Sequence, residues 1–500
     1  MATIAWVLVS LISITVCSAQ QTISVRNAAG FSGPVAPGSI IDIRVLDSAR
    51  VINPDPSHVS VEVLPAGASA ALDAPLLAAP FLSIWALLPA ETPVGPAQVI
   101  LTVDGQASAP ASITVAASGF GVFTQSLGGL GPALAQNQDV SQAPVLNGLT
   151  RPVLPDQYMI LWGTGLGSAG TGDVTIQLGG RDIAPSYAGP APGYSGLDQI
   201  NFRVPADLGV ADGCYVSLIV KAGAGVSNQT TVAKAGRAGA CEHPLSLSAG
   251  EMGTLDAGGR ILFGTVRLLN DSPGTVSASA QFLERANLDI ALLAQPLLSD
   301  DRYFGCSLTA GSGALGAIFV ADIDAGDTLS LTGPDLSLTV PRQAPGSFYG
   351  LNLDVAGLAP GTWQIAGPGG KAIGPFQAAL TLPPPLRGTN LAAAATVDRH
   401  QDRTVTWDPS GYSDGDVAIV TIGPNTPSSY VLCRTPAQAG NLILPANLLG
   451  GLPTGPATMR LSIGLRPDRR TLFSMPLTNG STARGLFEYS FSESISTLLR

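Results

Sequence analysis

Three lysines, three histidines and five cysteines in 500 residues limit what this chain can be. Only 12% of residues are charged, so solvent-facing helices laced with Glu–Lys pairs have no material, and exposed faces must be made of Ser, Thr, Gln and Gly. A formal charge of −10 denies the chain the basic surface that a phosphate backbone requires, and no nucleic acid partner is expected. The densest basic cluster, Arg466, Arg469 and Arg470, is broken by Pro467 and Asp468 and reads as a solvated loop. His58, His243 and His400 fall in three separate stretches, so a Ser or Cys nucleophile would need its base from a distant unit. No C-x-x-C spacing is present, which speaks against zinc. Beyond the first twenty residues, no apolar run reaches the ~20 residues that span a bilayer, so no transmembrane span is expected once a signal is removed.

What is abundant is glycine (59), proline (40) and apolar residues (45%). That composition folds, and the length suits roughly three to five units of ordinary domain size. Residues 4–16 form an apolar run followed by Cys17-Ser18-Ala19. Small residues there predict signal cleavage before Gln20 and a secreted or cell-surface (extracellular or periplasmic) location. The missing Lys or Arg before this run leaves an uncleaved anchor open. Lipidation of Cys17 is the other alternative, opposed by Val16 where a small residue is wanted. Removal of Cys17 leaves Cys214, Cys241, Cys306 and Cys433, an even count that predicts two disulfides in an oxidising compartment. Three pairings are possible. Cys214 with Cys241, which flank one hairpin-like stretch, and Cys306 with Cys433 are favoured.

Apolar residues alternate with a period of two throughout, the mark of half-buried strands. Ile41, Ile43 and Val45 form one such face, Val174, Ile176 and Leu178 another, and Ile200, Phe202 and Val204 a third, which turns Gln199, Asn201 and Arg203 the opposite way. Residues 153–162 (VLPDQYMILW) correspond to residues 35–45 (VAPGSIIDIRV), and Val204-Pro205-Ala206 to Leu88-Pro89-Ala90, so two related sandwiches stand in tandem. Closely spaced short runs, among them residues 316–320, 328–332, 348–353 and 376–382, continue to Pro383-Pro384-Pro385, read as a stiff linker, and resume beyond it. The expectation is an all-β chain of tandem immunoglobulin-like β-sandwich domains after an N-terminal signal peptide. The units are residues 1–19 (signal), 20–118, 119–240, 241–385 and 386–500, the second of them IPT/TIG-like.

Residues 27–40 (NAAGFSGPVAPGSI), 160–167 (ILWGTGLG), 191–205 (APGYSGLDQINFRVP) and 213–241 resemble secreted acidobacterial proteins of uncharacterised function that bear IPT/TIG-like domains. Residues 358–367 (LAPGTWQIAG), 404–412 (TVTWDPSGY) and 433–449 (CRTPAQAGNLILPANLL) resemble the C-terminal region of such proteins. The resemblance implies export and immunoglobulin-like sandwiches; no chemistry is attached to these motifs.

Chemistry-bearing patterns are few. Residues 165–170 (GLGSAG) match G-x-G-x-x-G after a strand, but the chain runs on into another strand instead of the helix a pyrophosphate needs, so a glycine-rich turn is expected. Gly193-Tyr194-Ser195-Gly196 lacks the final glycine of a nucleophile elbow. Asp322, Asp324 and Asp327 alternate around a glycine in a way that suits calcium, although turn-forming aspartates are the plainer reading; no other cofactor is expected. Tyr187, Tyr194 and Tyr412, in Gly/Pro/Ser-rich loops, are candidates for stacking on a ligand, while Trp85, Trp162, Trp363 and Trp407 lie in strands and are expected in cores. Taken together, these patterns point to an exported, non-enzymatic multidomain protein acting as a surface or extracellular binding or structural module for an unknown ligand, polysaccharide or protein. The alternative is a secreted carbohydrate-active hydrolase or carbohydrate-binding protein. A hydrolase would be told apart by a cleft with two facing carboxylates, one of raised pKa.

Overall fold

The computed structural model describes residues 21–500 apart from 32, 46–54, 80–82, 140–142, 273–274, 295–304, 311–322, 344–347, 356, 413–415, 426–428 and 465–470. The signal segment with Cys17, the basic cluster at 466–470, Asp322 and the strand expected at 316–320 lie outside the described residues.

The first sandwich pairs a sheet of Ile23–Asn27, Ile40–Val45, Ile84–Leu87 and Leu76–Ala78 with a second sheet centred on Val59–Pro65 and Gly95–Val103. Inward residues of both sheets, among them Ile41, Ile43, Val61, Val63, Val99 and Leu101, close one core. The second sandwich repeats this order. One sheet runs Val145–Leu146, Ala135–Gln138, Tyr158–Thr164, Asp198–Arg203, Tyr187–Pro190, and the other is centred on Val174–Leu178 and Gly213–Ala222.

The repeat reaches individual bonds. Val35 bridges Val115 in parallel, and Val153 bridges Lys234 in the same way. Ser108 Oγ accepts the Leu101 amide at 3.1 Å, and Ser227 Oγ accepts the Val220 amide at 2.9 Å. Both hydroxyls close the same hairpin, because a serine there satisfies an amide that the short following strand leaves open. These strand orders define tandem immunoglobulin-like β-sandwiches.

In the C-terminal half, strands from the stretches 241–385 and 386–500 share a sheet. One ten-stranded sheet takes Ile261–Ser272, Val276–Arg285 and Phe348–Leu353 from one side of the proline run, and Val417–Pro424, Ser429–Pro436 and Gly455–Gly464 from the other. The 18-residue strand Thr482–Leu499 joins the two groups. A single core cluster likewise spans both sides, from Val266 and Trp363 to Trp407 and Phe491. Within it, Leu386 is buried and Tyr412 donates its hydroxyl to the Pro384 carbonyl at 2.5 Å, so the proline run is packed against the core instead of bridging free space.

Helix Ala249–Asp256 was not expected in an all-β chain. Ser248 caps it, its side chain accepting the Glu251 amide while the Glu251 carboxylate returns to the Ser248 amide, the reciprocal box of a helix start.

Candidate functional site

Two joints and one open sheet face are the places where function-bearing residues gather. At the first joint, Asn27 is buried between the first two sandwiches. Its Oδ1 accepts the amides of Ala29 and Gly30, each at 2.8 Å, and its Nδ2 donates to the carbonyls of Gly119 and Thr164 at 2.8 and 3.0 Å. Thr164 continues the chain of bonds, its Oγ1 accepting from the Ile40 amide at 2.8 Å and donating to the Gly196 carbonyl at 2.6 Å. Each polar group has its partner, so burial carries no unpaired cost. The backbones also meet with no room for side chains. A Cβ on Gly121 would sit 2.4 Å from the Gly30 nitrogen, and one on Gly165 2.5 Å from the Gly119 carbonyl oxygen. The segments 27–40, 160–167 and 191–205, far apart in sequence, therefore converge on one joint.

The G-x-G-x-x-G loop belongs to this joint. Only a three-residue 3-10 turn, Thr171–Asp173, separates it from the strand Val174–Leu178. The Leu166 amide donates to the Asp198 carboxylate at 2.8 Å, so the loop serves an anion of its own chain. Burial pushes the Asp198 carboxyl up to about 6, against the pull of the Leu166 and Gly165 amides. Its elevation comes from lost hydration, not from a facing carboxylate, which is the feature that a two-carboxylate hydrolase needs.

The second joint is covalent. Cys214 and Cys241 form a disulfide, and Cys306 and Cys433 form the other, as favoured from sequence. Around the first bond, Leu149, Tyr215 and Ala233 of the second sandwich pack with Leu245, Met252 and Leu255 in a cluster that reaches Phe263 and Leu486 of the C-terminal unit. Asp256, at the end of the helix, accepts the amides of Leu149 and Thr150 at 2.9 and 2.8 Å.

His243 is buried here with both ring nitrogens engaged. The Leu245 amide donates to Nδ1 at 3.1 Å, which makes Nε2 the protonated nitrogen and the donor to the Tyr215 hydroxyl at 3.0 Å. Burial, with Arg484 nearby, lowers the imidazole from 6.5 to about 4. A folded pKa below the unfolded one means that the folded state binds fewer protons between the two values. The stability His243 confers is therefore complete above about pH 6.5 and is lost as pH falls toward 4, about 3 kcal/mol in all. A His243→Asn variant should show a flatter decline of denaturant-derived stability than the parent across that window. Parallel curves would refute the assignment.

The outer face of the second sandwich is a partly open surface. Along its central strand Tyr158–Thr164, Met159 and Leu161 enter the core, which turns Tyr158, Ile160 and Trp162 to the other face, where Tyr158 is exposed, Trp162 half-buried and Ile160 buried. On one side Gln138 stands opposite Tyr158 and Gln136 opposite Ile160. On the other, Arg203, Asn201 and Gln199 stand opposite Tyr158, Ile160 and Trp162, and Tyr187 lies beyond Asn201 in the same row. Trp162 is half-buried on this face, not in the core; Trp85 is likewise half-buried, whereas Trp363 and Trp407 are buried as expected.

The remaining candidates are scattered. Tyr194 is 67% exposed in its loop. Tyr187 donates its hydroxyl to the Pro190 carbonyl at 2.6 Å. Tyr412, expected to offer a ring to a ligand, is only 7% exposed, because the chain folds Pro384 over it and engages its hydroxyl. Asp324 accepts the Gly326 amide at 2.9 Å and pairs with Arg342 at 3.3 Å, bonds that hold its carboxyl below the usual carboxylate range. Asp327 is exposed, and among the described residues no group of three His, Cys, Asp or Glu gathers as a metal site. With Arg342 neutralising it, Asp324 fits the turn-forming reading of this stretch better than a cation site.

No protein-family model matches the chain, and no curated protein matches it. Among solved structures it is similar to a tetra-tandem repeat in the extending region of a large adhesion protein, at 14% identity and TM-score 0.15, covering 96% of this chain and 99% of that one. It is also similar to domains 5–6 of the S-layer protein SbsC, at 15% identity and TM-score 0.21 over 43% and 98% of the two chains. A third is SGBP-B of the Bacteroides ovatus mixed-linkage glucan utilization locus, in complex with mixed-linkage heptasaccharide, at 10% identity and TM-score 0.14 over 87% and 94%. Scores this low carry no argument about role or ligand, and the fold assignment rests on the strand pairing of the chain itself.

Proposed function

We propose that this protein is an exported, non-enzymatic module of the cell surface or extracellular space that holds its sandwiches at fixed angles and presents an open face for binding. The observation that carries the reading is the closure of both joints, one by glycine-intimate backbone contact and buried Asn27 and Thr164, the other by the Cys214–Cys241 bond and a shared core. Sandwiches that merely follow one another need no such contacts, and relative motion is the default where interfaces are small. The two disulfides support export, since such bonds persist in oxidising compartments. The resemblance to secreted acidobacterial IPT/TIG-like proteins is consistent with the same location. An array of glycans and cell-wall polymers, run on the processed chain beside hydrolysis assays, tests the reading. Retention of a ligand without release of product is the expected outcome. Product release, or recovery of the chain with four free thiols from reducing cytosol, would overturn it.

A further inference from the structure

The outer face of the second sandwich brings aromatic and amide side chains together on one sheet. The central strand offers exposed Tyr158 and half-buried Trp162 on either side of buried Ile160, successive same-side residues standing ~7 Å apart. Flanking columns supply the amides of Gln136 and Gln138 on one side, and of Asn201 and Gln199 on the other. Three of these amides are already oriented by neighbours: Trp162 Nε1 donates to Gln136 Oε1 at 3.1 Å, and Gln199 Nε2 donates to Asn201 Oδ1 at 2.9 Å. Bonds of this kind fix the side chains before a ligand arrives and reduce the ordering cost of binding.

We infer that this face is a platform for a neutral polysaccharide, a proposal that rests on the binding-module reading above and names its ligand class. Charge decides between occupants. On a chain of net charge −10, the one charged side chain of the grid is Arg203, and it is paired with Asp156 at 3.0 Å. An anionic polymer would find no free cation on the grid and a repelling field around it, and a protein partner would find no charged group for register. A pyranose needs what is present: aromatic rings on which its C–H face lies flat, and uncharged amides that both donate to and accept from hydroxyls. The rows also run on into the apolar cluster at the first joint, where Leu134, Leu197 and Trp85 pack around Phe123 and Ile40, so a chain longer than the sandwich is wide would continue onto a fixed surface.

Affinity electrophoresis of the processed, disulfide-intact chain tests the platform, in gels containing soluble β-glucan, xylan or galactomannan and, in a separate arm, anionic pectin. At least one neutral polymer should retard the protein, with roughly tenfold weaker binding for Tyr158→Ala and Trp162→Ala, the loss expected when a central aromatic contact is truncated. Gln199→Ala should weaken it as well and, being a surface amide, keeps the test valid if the tryptophan variant fails to fold. No retardation by any neutral polymer, retardation by pectin alone, or variants that bind like the parent would overturn the platform. Those results without sugar release would leave the non-enzymatic reading standing, whereas sugar release would overturn that reading instead.

Discussion

Removing residues 482–500 should unfold everything C-terminal to about residue 240 while the first two sandwiches stay intact. The strand Thr482–Leu499 pairs in parallel with Ile261–Ser272, from Phe263 opposite Arg484 to Ser272 opposite Glu493. It pairs antiparallel with Gly455–Gly464 and with Thr471–Pro476. It also pairs in parallel with Thr396–Val397, so its loss would leave four strands each short of a partner and open the middle of the sheet. It also carries Leu486, Phe487, Tyr489, Phe491 and Leu499 into the cores. At about 2 kcal/mol for each large apolar side chain buried, these five represent on the order of 10 kcal/mol, comparable with the whole stability of a typical domain. Limited proteolysis followed by mass spectrometry should return a resistant fragment ending near residue 240. A truncated chain that still resists cleavage between 261 and 481, or a folded fragment of residues 241–385 alone, would show that the C-terminal unit stands without its final strand.

This coupling explains where sequence reading stopped. Period-two alternation located Thr328–Thr332, Phe348–Leu353 and Phe376–Leu382 at their observed bounds, because a strand with one face in a core writes its register into consecutive residues. The pairing of Phe263 with Arg484 has no such local trace; it joins residues over 200 positions apart, and nothing in either segment names the other. The first joint is hidden for the same reason, since glycines at 121 and 165 look like turn residues until the facing backbones are in place. Two signals were present and outweighed. Ser248 three residues before Glu251 is a helix-start pattern, and Met159 and Leu161 facing inward require Trp162 to face out, whatever the general tendency of tryptophan to be buried. The joints were therefore legible as motifs and not as contacts, and the outer face was legible as alternation and not as a surface.

Breaking Cys306–Cys433 should cost more than breaking Cys214–Cys241, although each is one bond. Cys306 and Cys433 are direct cross-strand partners of Gly305–Ala310 and Ser429–Pro436, and the loop they close spans 127 residues against 27 for the other bond. The chain-entropy account gives about 5 kcal/mol for the longer loop and about 3.5 for the shorter, because an unfolded chain cross-linked far along its length loses more conformations. The paired substitution Cys306→Ala with Cys433→Ala also leaves a small void at Cys433, which is fully buried in the C-terminal core. By calorimetry the C-terminal transition should fall by roughly 10 °C or more, with the transition of the first two sandwiches nearly unmoved. Cys214→Ala with Cys241→Ala should lower stability less and loosen the second joint, seen as faster amide exchange around Leu149 and Leu245. If the shorter loop proves the more costly to open, the bond at the second joint is holding native packing together, and its role lies in the folded joint more than in the unfolded chain.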